Sequence, residues 1–87
     1  MKYIVYNQGH VQDMVVLFNR ITDHSVMFRQ LGHDVELVSA GFVYLSTKNG
    51  GIAVVSCHGK STSLNVKSRP EIDSEIITNI FYNDRSY

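Results

Sequence analysis

Between Asp34 and Lys67 the chain alternates apolar and polar residues in four short runs, 34–39, 42–47, 52–57 and 62–67, and this stretch limits the fold more than any other feature. A period of two cannot give a helix one apolar side, so each run predicts a strand. The second and third runs are separated by Lys48-Asn49-Gly50-Gly51. Asn-Gly readily takes up the positive φ angles of a tight turn, so these two strands are expected to be antiparallel neighbours. His58-Gly59-Lys60-Ser61 is expected to make the next reversal.

On either side of this ladder the pattern changes. Residues 2–6, Lys-Tyr-Ile-Val-Tyr, are β-branched or aromatic on both alternating faces, as a central strand covered on both sides requires. From Val11, apolar residues recur at steps of three and four through Met14, Phe18, Ile21, Phe28 and Leu31, interrupted by Ser25. That spacing predicts a long amphipathic helix stopped at Gly32, with a bend at the polar stretch 22–25. Ser68 and Glu71 have capping-box spacing, Pro70 suits a first turn, and Ile72, Ile76, Ile77, Ile80 and Phe81 form one stripe, which predicts a closing helix. The expected class is α+β, a single domain over 1–87 with a single mixed sheet in the order β-α-β-β-β-β-α. A right-handed crossover would place both helices on one face and leave the other partly open.

With one cysteine, Cys57, the chain cannot close an internal disulfide, which points to a cytoplasmic setting. The longest apolar run, Met14–Phe18, is far too short for a membrane span, so no membrane partner is expected. The opening Met-Lys-Tyr-Ile-Val-Tyr lacks the features of an export signal and reads as an intact start. Eight basic residues balance eight acidic ones, which removes any global field for nucleic acid or an anionic surface. Locally, however, Lys48, Lys60, Lys67 and Arg69 lie in a section, 37–69, that has no acid.

Several candidate sites follow. In Ser56-Cys57-His58-Gly59-Lys60-Ser61-Thr62, a glycine permits close backbone approach, hydroxyls can donate and Lys60 adds charge, so His58, Gly59, Lys60, Ser61 and Thr62 are the expected anion-binding set. This is not a Walker loop, because Val54 stands where a glycine is needed and strand alternation follows where a helix is needed. A polar hairpin turn explains the same residues. Adjacent Cys57 and His58 point to opposite faces of a strand, so a thiolate–imidazole pair would need His10, His24 or His33, and a buried inert thiol is expected. The histidines are dispersed, and only His10 with Asp13 has a helix-compatible metal spacing, so no metal and no cofactor are expected. Phe42 and Tyr44 share a strand face, which with Lys48 and Lys60 offers an alternative platform for single-stranded bases; core packing is the competing explanation. Glu71, Asp73 and Glu75 are expected to be solvated at the helix start.

The element order and several short stretches resemble the janus family of small phosphohistidine phosphatases. Lys2-Tyr3-Ile4-Val5-Tyr6 is similar to that family's opening strand. From Gly32 to Ser68 the spacing is laid on the family without a gap, with Ser39-Ala40-Gly41 at its glycine-rich turn and 58–62 at its phosphate-holding loop. The resemblance implies a phosphatase frame, yet Leu17 stands at the position of the catalytic histidine and Phe42 at that of the arginine after the turn. Without a nucleophile there is no route to a covalent intermediate.

The expected function is therefore a small non-enzymatic binding or regulatory protein. It would act on a partner protein or a phosphate-bearing ligand, in the manner of a phage- or plasmid-encoded modulator. The alternatives are a janus-like phosphatase with His10 as relocated nucleophile and Lys2 as charge stabiliser, and a weak single-stranded nucleic-acid binder. A core this small also suggests a homodimer that covers an open face or edge.

Overall fold

Lys2–Gln8 forms strand β1, and from Tyr3 to Tyr6 successive residues enter different cores. Tyr3 and Val5 are buried on one side, Ile4 and Tyr6 on the other. The computed structural model describes the backbone of residues 1–84 and the side chains of all of these except 52–54 and 82–84. The chain continues through β2 (Val11–Phe18), α1 (His24–Gln30), β3 (Val35–Lys48), β4 (Gly51–His58), β5 (Lys60–Ser61), β6 (Val66–Lys67) and α2 (Pro70–Asp84). The class is α+β. Four strands form one sheet in the order β2-β1-β3-β4, and β5 and β6 form a small separate ribbon.

Several features differ from the sequence expectation. Residues 11–18 are a strand, which gives the order β-β-α-β-β-β-β-α. The three-and-four stripe leaves out Val15, Val16 and Leu17, and of these a helix would turn Val16 squarely towards its polar side. As a strand, Val15 and Leu17 meet the first core while Met14, Val16 and Phe18 meet the second. Gly9, at φ +59°, turns the chain tightly enough for β2 to pair back on β1, from Lys2 opposite Phe18 to Gln8 opposite Val11. An irregularity follows at Asp13, whose backbone sits at φ +57° with its N–H bonded to Asn7 Oδ1 at 3.0 Å.

Second, every pairing in the sheet is antiparallel, so the sheet is not mixed and no crossover joins parallel strands. Third, the helices cover opposite faces. Ile77 of α2, buried with Tyr3, Val5, Val43 and Cys57, closes the first face, with Ile76 and Phe81 packed beside it. Met27 and Phe28 of α1, with Leu64 and Val66 of the ribbon, pack on Ile4, Tyr6, Phe18 and Ala40 on the second. Burying Ile77 is worth about 2 kcal/mol. Ile72 and Ile80, expected on the buried stripe of α2, are exposed.

Fourth, 34–39 and 42–47 are one strand, and Ser39-Ala40-Gly41 lies inside it rather than at a turn. Gly41 is there for space: a Cβ would lie 2.6 Å from the His58 carbonyl oxygen, 3.0 Å from Ser68 Cβ and 3.5 Å from Tyr3 Cε1. The expected hairpin after β3 does form, with Asn49 at φ +54° and Gly50 at φ +80° joining β3 to β4. The later reversal falls at 62–65, where Asn65 has φ +55° and donates its N–H to Thr62 O at 3.3 Å.

Candidate functional site

Two clefts open at opposite ends of the sheet. At the Gln8 end, Asn7, Gly9, His10 and Gln12 of the first hairpin meet Asp34 and Glu36 around a cleft of about 490 Å³. Asn7 Nδ2 donates to Glu36 Oε1 at 2.9 Å, so part of this polar lining is already paired. At the Lys2 end, Lys2, Asp23, His24 and Phe42 meet Lys60, Thr62 and Ser63 around a cleft of about 370 Å³.

Each element brings its side chain to the second cleft for a local reason. Lys2 begins β1, and its Nζ donates to Thr22 O at 2.9 Å, which pins the loop before α1. That loop is held by Asn19 Oδ1, which accepts from the backbone N–H of Ile21 at 3.0 Å and of Thr22 at 3.1 Å. His24 opens α1 and is 4 % exposed. A carbonyl can only accept, so His24 Nε2 carries the proton donated to Gly41 O at 2.9 Å. Burial pushes the His24 imidazole below its ordinary value of 6.5; the Gly41 bond and Asp23 oppose this shift and nearby Lys2 adds to it. Its ring meets Phe18 and Phe42 edge-on, at centroid distances of 5.4 and 5.9 Å.

Phe42 forms the wall. Its other neighbour is His58, opposite it in the β3–β4 register, with ring centroids 5.9 Å apart and planes inclined by 22°. Gly59, at φ +78°, lies so close beneath Phe42 that a Cβ would sit 3.1 Å from Cδ2. The ribbon then carries Lys60 and Thr62 to the rim. Ser61 is buried and its Oγ accepts the Leu64 N–H at 3.2 Å, so it braces the turn instead of facing a ligand. Ser68 fastens the base of the loop, with its N–H and Oγ both donating to Gly59 O at 3.0 and 2.8 Å.

The structure therefore brings Lys2, Phe42, Lys60 and Thr62 to one cleft, with His58 and Gly59 behind its wall. It does not bring His10 there. His10 follows β1, whose length of about 20 Å separates Gln8 from Lys2, so no transfer between His10 and the 58–62 loop is assembled. Leu17 packs against the core from β2. Among the described residues, no three His, Cys, Asp or Glu side chains are placed to share a metal ion.

Asp73 overturns a further expectation. It is 0 % exposed, and its carboxylate accepts from Tyr3 Oη at 2.5 Å, Ser39 Oγ at 2.9 Å, and Arg69 N and Nε at 2.8 and 3.1 Å. Arg69 Nη2 touches Oδ1 at 2.9 Å as an ion contact without an aligned hydrogen bond of its own. Asp73 thus takes the back-bonding part that the capping-box spacing gave to Glu71, accepting the Arg69 N–H, and it ties α2 to β1 and β3. Burial, reinforced by Asp73, pushes the Tyr3 hydroxyl far above its ordinary value of 10.0. Burial likewise pushes the Cys57 thiol up, and with 3 % exposure this free thiol is shielded within the first core.

Sequence reasoning put Asp73 in solvent, considered His24 only as a partner for Cys57, and passed over Asp23 and Ser63. Asp73 carried a readable signal, since it precedes Ile76 and Ile77 by three and four residues and so lies on the buried side of α2. The other three carried none, because their neighbours at the cleft are distant in sequence. Among the described residues, no helix is long and apolar enough to cross a membrane. Compared with models of protein families, with curated proteins and with solved structures, the chain matches none.

Proposed function

We propose that this is a small binding protein whose cleft at the Lys2 end takes a phosphate-bearing ligand, and that it acts by occupancy, without catalysis. The supporting observation is the cleft itself. Two ammonium groups from opposite ends of the sheet-forming sequence, Lys2 and Lys60, and the hydroxyls of Thr62 and Ser63 line one concavity, with Asp23 as its carboxylate among the described residues. Lysine donors and hydroxyls recognise phosphate oxygens, and a partly enclosed position strengthens each contact relative to open water. His24, whose imidazole lines the cleft, is engaged with Gly41 O and wedged between two phenyl rings, which fits a wall better than a nucleophile. A reducing cytoplasm suits the unpaired thiol of Cys57.

Titration with pyrophosphate, followed by amide chemical shifts, tests this directly. Shifts are expected at Lys2, Lys60, Thr62 and Ser63, and Lys60→Gln is expected to weaken binding by about tenfold, equivalent to about 1.4 kcal/mol. Absence of shifts at these positions would refute the anion site. Turnover of a phosphomonoester or phosphohistidine that disappears in His10→Ala would refute the non-catalytic part.

A further inference from the structure

Resting on the anion-binding cleft just proposed, we infer that its ligand is a single-stranded nucleic acid. The strand would lie along β3 from Lys2 and Lys60, across Phe42 and His58, to Tyr44 and Lys48. Phe42, Tyr44 and Lys48 occupy even positions of one strand and so share a sheet face. That face is fixed by Ala40, which packs on Ile4 and Phe18, whereas odd-numbered Val43 belongs to the α2 core. From Phe42 to Lys48 the strand runs about 20 Å, room for a few nucleotides.

The surface along this line is aromatic where bases would stack and cationic where phosphates would lie. Tyr44 is 63 % exposed, and its β4 partner, Ser56, is small and exposed, so the tyrosine ring is left open to a ligand. Beside it, the Phe42–His58 stack is already ordered, with Phe42 held by His24 on its edge and by Gly59 beneath. Aromatic rings fixed on a strand accept any base by its π-face, a duplex hides those faces, and hence the single strand is favoured. Lys60 and Lys2 stand at one end and exposed Lys48 at the other. No acid occurs from 37 to 69, which leaves Asp23 as the carboxylate lining the cleft. An acidic peptide would satisfy the lysines and leave the aromatic pair unused.

The test is fluorescence anisotropy of a labelled oligothymidylate of about twelve nucleotides at low ionic strength, with pyrophosphate titrated in parallel. Binding is expected to fall with salt at a log–log slope of about −2, as three single-strand phosphate contacts dictate. Tyr44→Ala, an exposed substitution that leaves the core intact, is expected to weaken oligonucleotide binding about tenfold while leaving pyrophosphate binding unchanged. If pyrophosphate binds but the oligonucleotide does not, or if Tyr44→Ala leaves oligonucleotide binding unaltered, the nucleic-acid inference fails and the anion site stands. Poly-glutamate binding as tightly as the oligonucleotide, with no effect of Tyr44→Ala, also overturns it. Failure of both pyrophosphate and oligonucleotide to bind removes both proposals together.

Discussion

The two faces of the sheet treat their polar groups in opposite ways. Beneath α2, Asp73 has no exposed surface and every partner it needs: two hydroxyls, a backbone N–H and a guanidinium. Beneath α1 and the ribbon, Lys2, Lys60, Thr62 and Ser63 converge on open space, and only some of their hydrogen-bonding capacity is taken up by the protein. A buried carboxylate must be paired to persist in a core, so its chemistry is absorbed by the fold. Groups at a cleft rim keep theirs for a ligand. Residue type alone does not make the distinction; the completeness of each group's partners does.

Asp73→Asn should break the first face. The amide turns one acceptor into a donor facing a hydroxyl and leaves Arg69 without its counter-charge, at a cost of about 3 kcal/mol in urea unfolding. Pyrophosphate affinity of the molecules that remain folded should not change. A cost under about 1 kcal/mol would show that the network does not hold α2 in place.

A smaller effect sharpens the boundary between the faces at His24. Removing its bond to Gly41 O in His24→Gln should cost about 1 kcal/mol at neutral pH. Because burial lowers the folded-state value below 6.5, the unfolded chain binds a proton more readily. The stability conferred by neutral His24 is therefore present above pH 6.5 and declines as pH falls below it. Urea midpoints at pH 7 and pH 5 should diverge more for the wild type than for His24→Gln. Equal divergence would mean that other groups carry the acid sensitivity.

The smallest effect on stability should come from the cleft rim. Lys60 is exposed, so Lys60→Gln should shift unfolding by no more than about 0.5 kcal/mol. Its consequence belongs to binding. A large loss of stability in this variant would place Lys60 among the structural groups and erase the contrast between the faces.

Much of the local structure could be read directly. The central strand 2–6, the turn at Asn49-Gly50 and the closing helix all follow from neighbours in sequence, since propensity, turn chemistry and capping act over a few residues. The span 11–18 could not be settled in this way. Its apolar residues satisfy a helical stripe if some are ignored and a two-faced strand if all are counted, and β1 decides between them by offering a partner along its length. Gly41 looked like a turn residue because glycine is ambiguous locally; the crowding of His58, Ser68 and Tyr3 around it exists only after folding.

The same division runs through the candidate site. By itself, the sequence determined the α+β class, a reversal after Lys48, a lone cysteine and an acid-free section carrying lysines and aromatics, because these depend on composition and short-range pattern. Tertiary structure alone decided that Lys2 and Lys60 share a cleft, that His24 rather than His10 stands in its wall, and that Asp73 is buried. Those outcomes depend on which strands pair and which face each helix covers, and such long-range contacts are chosen by the burial of the whole core.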